Sequence, residues 1–161
     1  MDEFIKMLDE CLDYVSHEII DDFIYITVKS NRQEPVCPFC ATPSSNVHSS
    51  YPRGFQDLPV MGKKTIILID NRKIFCDNPD CDHKTFAERF SFLGDNAYRT
   101  NRLEDEVLRV SLNCSSVAAS AILSETTVVI GKSAICKLIK KKAVRRQIKN
   151  QYQWSASMIL P

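Results

Sequence analysis

Two short cysteine pairs constrain this chain more than any other feature: Cys37-Pro-Phe-Cys40 and, thirty-five residues later, Cys76-Asp-Asn-Pro-Asp-Cys81. A Cys-x₂-Cys turn aims two thiolates at one ion, and a Cys-x₄-Cys turn does the same with more slack, so the four together predict a tetrahedral structural zinc site. Turn chemistry supports both halves, because Pro38 follows the first cysteine and Asn78-Pro79-Asp80 breaks regular structure between the second pair. Lys64 to Asp70 is rich in β-branched residues and Ile74-Phe75 runs straight into Cys76, which makes the intervening segment extended. The expectation is a zinc ribbon, two knuckles on a small antiparallel sheet. Two disulfides, or four unrelated thiols, are the competing readings. Catalytic zinc is disfavoured, since four thiolates leave no open position for water. His48 and His83 are substitute ligands by chemistry and are ranked outside the ligand set.

Of 161 residues, seven are cysteines, an odd number that leaves one over in any complete disulfide framework. Cys11, Cys114 and Cys136 read as small buried hydrophobes in helical contexts. The formal net charge of +1 conceals a polar layout. Residues 1–22 hold eight acids against Lys6, whereas residues 132–149 hold eight bases and no acid, a surface suited to polyanions. No window approaches the roughly 18 apolar residues of a membrane span and no signal peptide is evident, so a cytoplasmic protein is expected.

In chain order, Phe4, Leu8, Cys11, Leu12 and Val15 recur at helical spacing, predicting an amphipathic helix or helical turn within residues 2–15. Ile19-Ile20, Asp21-Asp22 and Phe23 to Val28 predict a hairpin. Pro52 and Pro59 assign their stretch to a sheet edge or a loop. Tyr51, Arg53, Lys63, Lys64, Arg72 and Lys73 form a candidate aromatic and basic face, with a solvated sheet surface as the equal alternative. Residues 91–101 look irregular and poor in core residues, which places a boundary there. Three helices should follow: Leu103 to Leu112, Ser116 to Leu123 capped by Ser115 or Ser116, and a basic helix from Lys132 or Ser133 through Lys142 with Ile135, Leu138 and Ile139 facing inward. Three short helices, the last basic, fit a helix-turn-helix, although Glu125 to Gly131, with its apolar run Val128 to Ile130, is long for the turn.

The set Cys37-Pro-x-Cys40, His48-Ser-x-Tyr51-x-Arg53, Asp57-Leu-Pro59, Gly62, Arg72, Phe75-Cys76-x-Asn78-x-x-Cys81 and Phe86-x-Glu88, with Arg99-Thr100 beyond it, resembles the N-terminal zinc ribbon of the ISL-three family of bacterial insertion-sequence transposases. The resemblance covers roughly residues 35–142. It implies binding to the element's terminal inverted repeats, and in such transposases a ribonuclease-H-like core with an Asp-Asp-Glu triad follows. Ala41 stands where the family usually has glycine. After Glu106 the only acid is Glu125, so three carboxylates for two metal ions cannot be assembled there, and a non-catalytic, truncated or remnant product is expected.

The resulting expectation is an α+β protein, a small antiparallel zinc ribbon followed by a three-helix helix-turn-helix unit. Residues 1–34 are the N-terminal helix and hairpin, 35–90 the ribbon, 91–102 a linker, 103–149 the helix-turn-helix with its basic extension, and 150–161 the start of a missing catalytic core. Structural zinc is held by Cys37, Cys40, Cys76 and Cys81. Duplex DNA at transposon ends meets Lys132, Ser133, Lys137, Lys140, Lys141, Lys142, Arg145 and Arg146. Other expected partners are a second copy or a full-length transposase, with no membrane and a location at the bacterial nucleoid. The runner-up is a zinc-ribbon module that binds another polypeptide.

Overall fold

A computed structural model describes residues 1–143. The mixed α+β chain forms two compact units, Met1–Leu103 and a second that begins at Glu104. The first contains α1 (Asp2–Lys6) and five strands, β1 (Leu12–Ile20), β2 (Phe23–Ser30), β3 (Val47–Val60), β4 (Lys63–Phe75) and β5 (Thr85–Ala87).

The helix expected within residues 2–15 ends at Lys6, and Leu12 and Val15 belong to a strand instead. Asp9 is the cause: its Oδ1 accepts the Cys11 N–H at 2.9 Å and its carbonyl accepts the Leu12 N–H at 3.1 Å. This local turn competes with helix continuation and redirects the chain. β1 and β2 then pair antiparallel around Asp21-Asp22, as the alternation predicts.

The sheet order is β1-β2-β4-β3, with β5 against the far end of β4. β2 and β4 run parallel, from Phe23 beside Lys64 to Val28 beside Ile69. The hairpin and the ribbon therefore share one sheet. β3 and β4 are joined by Met61-Gly62, both at positive φ (51° and 77°), the sign a tight primed hairpin turn requires. Pro52 and Pro59 lie in β3, at the sheet's border, where a missing N–H costs least.

β4 buries Thr65, Ile67, Ile69 and Asn71, then Ile74. Ile67 and Ile69 join Ile5, Leu8, Leu12, Ile24, Ile26, Val28, Phe55, Phe90 and Phe92 in the main core, whereas Ile74 packs with Cys37, Cys81 and Phe86. The buried positions are odd-numbered from Thr65 to Asn71, and the next one, Ile74, is even-numbered. Because strand side chains alternate, one strand serves two cores from opposite faces.

Residues 91–100 are irregular, as expected, but they are not poor in core residues and are fastened to the sheet. Phe92 and Ala97 are buried, the Gln56 N–H donates to the Tyr98 carbonyl at 3.0 Å, and the Thr100 N–H donates to the Gln56 carbonyl at 3.0 Å. The reason is that an edge strand offers unpaired backbone groups, and this segment takes them up. Asp57, fully buried, accepts the Thr100 hydroxyl at 2.6 Å and Arg102 Nε at 2.8 Å, with Arg102 Nη2 on its other oxygen.

The second unit contains most of α2 (Asn101–Ser111), then α3 (Ser116–Thr126) and α4, helical over 132–143. Ser115 caps α3, its hydroxyl accepting the Ala118 N–H at 3.2 Å. Val107, Ala119, Leu123, Val128, Ile130, Ile135 and Leu138 are buried. The apolar run before α4 thus fills the interior with Val128 and Ile130, and Ser120 donates to the Ile130 carbonyl at 2.7 Å. Cys136 lies in α4 as expected, while Cys11 and Cys114 lie in turns. No helix among the described residues is long and apolar enough to cross a membrane.

Candidate metal centre

The first knuckle is built by short backbone bonds. The Cys37 N–H donates to the Thr42 carbonyl and the Ala41 N–H to the Cys37 carbonyl, both at 2.9 Å, which curls the turn so that both thiols point inward. Ala41 adopts φ +61°, the left-handed conformation that explains a preference for glycine there. In the second knuckle the Cys76 N–H donates to the Lys84 carbonyl at 2.9 Å, and Asn78 accepts the Asp80 N–H on its side chain at 3.0 Å and the Cys81 N–H on its carbonyl at 3.2 Å. Buried Ser44 ties the halves together by donating to the Phe75 carbonyl at 2.6 Å.

These turns bring the sulfurs of Cys37, Cys40, Cys76 and Cys81 within 4.8 Å of one another, with Cys40 and Cys76 at 3.5 Å. Tetrahedral Zn–S bonds of about 2.3 Å set the sulfurs roughly 3.8 Å apart, so the donor set fits zinc in number, kind and spacing. All four are free thiols. Neither histidine joins them: His83 stacks on Phe39 at 3.5 Å between centroids, and His48 meets the Phe75 ring at 4.8 Å and Ser49 through Nδ1.

Four sulfurs this close cannot all carry charge without a cation. The Thr42 hydroxyl and N–H hold Cys40 down to about 6. Cys76 is pushed up to about 12, the Asn78 backbone bond pulling it down while burial and the sulfurs of Cys40, Cys37 and Cys81 outweigh it. Cys81 is also raised, a backbone bond from His83 being overcome by burial and the sulfur of Cys40. Metal binding must therefore displace protons from this cluster.

Apart from the cysteines, the small core here consists of Ile74 and Phe86. Burying two such side chains contributes about 5 kcal/mol, whereas a structural zinc contributes on the order of 10 kcal/mol or more near neutral pH. The metal, not packing, dominates this end of the sheet.

Residues 33–81 match the zinc-finger of transposase IS204/IS1001/IS1096/IS1165. This transposase-type zinc ribbon includes both cysteine pairs, and the four cysteines form its structural zinc site. No curated protein and no solved structure matches the chain.

Beyond the ribbon match, Glu88, whose side chain is fully buried, accepts Arg72 Nε at 2.9 Å and the Ser30 hydroxyl at 2.6 Å, with Arg32 at 3.7 Å. Arg72 is thereby occupied in holding the ribbon to β2 and does not present a basic face. Arg53 lies over the Phe55 ring at 4.6 Å and donates to the Ala97 carbonyl, and Lys63 donates to the Asp21 carbonyl. Spacing alone did not disclose Thr42, Ser30 or Arg102, which act through folding partners; Thr42 was the nearest to legible, two residues after Cys40.

On α4, Lys132, Ser133, Lys137, Lys140 and Lys141 are exposed. At about 100° per residue, Ser133, Lys137, Lys140 and Lys141 share one side of the helix. Lys142 is half-buried and ion-paired with Asp105. Arg145, Arg146 and the segment 150–161 lie outside the described residues.

Proposed function

We propose that this chain is a zinc-dependent DNA-binding portion of a transposase, its ribbon a rigid platform and its three helices a helix-turn-helix that engages the terminal inverted repeats. The observation that carries this reading is the transposase zinc-finger match over residues 33–81, laid on a cluster of four converging cysteines. The exposed bases of α4 support a docking role, since lysines on one helix side neutralise phosphates and release counterions. Lys142 is assigned a lesser share because Asp105 already neutralises it. No catalytic step is assigned to these residues.

The test is duplex binding against salt with the zinc-loaded chain. Replacing Lys137, Lys140 and Lys141 with glutamine should weaken binding and lower the slope of log affinity against log salt by up to about 3, close to one unit per lost phosphate contact. Unchanged affinity and slope would move the docking surface elsewhere. The polypeptide-binding alternative draws on the half-exposed Phe39, Val47 and Phe75 beside the knuckles. No binding to inverted-repeat or unrelated duplex at low salt would favour it.

A further inference from the structure

At the zinc end of the sheet, alternation divides the side chains between two faces. Ile74 and Phe86 turn one face to the cysteines. Lys73 pairs with Ser49 and Ala87, Phe75 with Thr85, and Asn71 with Tyr51, so these residues belong to the opposite face. His48 is the extra residue of the bulge between Val47 and Ser49, and its ring meets that of Phe75 at 4.8 Å, edge to face. Nothing covers the rings: Tyr51 is 39 % exposed, Phe75 44 %, and His48 and Ser49 are exposed as well. The Tyr51 oxygen accepts the Asn71 Nδ2–H at 3.1 Å, and among the described residues its own hydroxyl proton meets no acceptor.

The charge on this face is sparse and positive. Half-buried Lys73 forms no ion pair or hydrogen bond among the described residues, whereas Arg53 and Arg72 are taken up by the Ala97 carbonyl and Glu88. In the strand stretches 47–53, 69–75 and 85–87 the single acid is Asp70, which pairs with Pro52 and faces the other side.

We propose that this face binds single-stranded nucleic acid, with one base stacked at Phe75, a second on Tyr51, and the intervening backbone against Lys73. Phe75 lies four residues beyond Asn71, the cross-strand neighbour of Tyr51, so the two rings stand about 13 Å apart along the sheet with Lys73 at the midpoint. A duplex shows its base edges in the grooves and hides the base faces in its own stack, so rings on an open sheet select unpaired bases. One uncommitted lysine among three rings is also a poor clamp for a duplex, whose binding draws on several phosphate contacts. The proposal extends the DNA reading to an unpaired strand without depending on α4, and the experiment separates the two surfaces.

The probe is a fluorescein-labelled strand of about ten thymidines, which cannot pair with itself. It is titrated into the zinc-loaded full chain carrying Lys137→Gln, Lys140→Gln and Lys141→Gln, so that these α4 lysines do not supply the binding. The expected result is saturable binding whose log affinity falls against log salt with a slope of about 0.7, one phosphate contact on a single strand. Tyr51→Ala or Phe75→Ala should each weaken it by roughly fivefold to a hundredfold, and Tyr51→Phe should keep it. In a Trp154→Phe background, Phe75→Trp should bind and lose emission as a base stacks on the indole, a readout that stands even where Phe75→Ala fails to fold. Unchanged zinc content shows that the variants are folded. Strand binding that persists while the unmodified chain fails to bind duplex removes the α4 reading and leaves this one. An unbound strand, as expected if the face meets a polypeptide, overturns the proposal. So does binding indifferent to both ring deletions, or a salt slope of several units, which would place the strand on basic residues elsewhere.

Discussion

Replacing Ala41 with glycine should tighten zinc binding, because the first knuckle forces a side-chain-bearing residue into φ +61°. Left-handed backbone costs an L-residue roughly 1–2 kcal/mol. Glycine removes that cost but loses more freedom on ordering, about 0.5–1 kcal/mol. The difference leaves about 0.5–1 kcal/mol in favour of Ala41→Gly. Because the turn that joins the Ala41 N–H to the Cys37 carbonyl is part of the metal site, this gain enters the metal equilibrium. It corresponds to a roughly two- to fivefold lower dissociation constant. Competition against a chromophoric chelator at fixed pH measures it. Ala41→Val supplies the opposite sign, since a β-branched residue tolerates positive φ least. Zinc affinity of Ala41→Gly equal to or weaker than wild type, or Ala41→Val equal to wild type, would refute the reasoning.

Protein purified without added metal should carry about one zinc per chain, with four thiols reacting only after chelation and the fold around Ile74 and Phe86 lost at the same time; seven freely reactive thiols and no zinc would remove the site. Glu88→Ala should destabilise the first unit by about 2–4 kcal/mol, since it strands Arg72, which is itself partly solvated and so discounted from the fully buried case. Denaturant unfolding tests this, with partial recovery expected when Arg72→Ala is added. For Asp9, burial raises the carboxyl, but the N–H groups of Cys11 and Ser91, the Ser91 hydroxyl and Arg32 together hold it below its ordinary 3.8. A carboxyl lowered on folding stabilises fully above its ordinary value and loses that contribution as pH falls through the lowered one. Asp9→Asn should therefore reduce stability at neutral pH and narrow its gap from wild type below about pH 3.8; a gap that stays constant with pH would remove Asp9 as the source.

The metal ligands were legible because chelating spacing is a local property of a turn, and so was the β1–β2 hairpin, written in Asp21-Asp22 between two apolar runs. Helical spacing misled at residues 2–15 because Phe4 and Leu8 do lie on a buried side, while the side chain of Asp9 ends the helical path before Cys11. Pairing of β2 with β4 was not legible: those strands are separated by a knuckle and a whole strand, and both are simply apolar. The same holds for residues 91–101, whose attachment to β3 runs largely through backbone groups that composition does not encode. Asp57 and Glu88 stood out by resemblance, yet their work depends on Arg102 and Arg72, partners fixed only by the fold.

The switch of buried parity along β4 makes residue count between Ile69 and Cys76 as much a constraint as residue identity. A strand is a ruler with two-residue gradations, and here one half is read from one face and the other half from the opposite face. Inserting or deleting a single residue near Arg72 would leave both hydrophobic clusters intact in composition while turning Ile74 and the start of the second knuckle away from the first. A change of two residues would shift the knuckle along the sheet but keep it facing its counterpart. Length variation in this strand should therefore be tolerated in even steps and not in odd ones, a rule that no substitution scan would reveal.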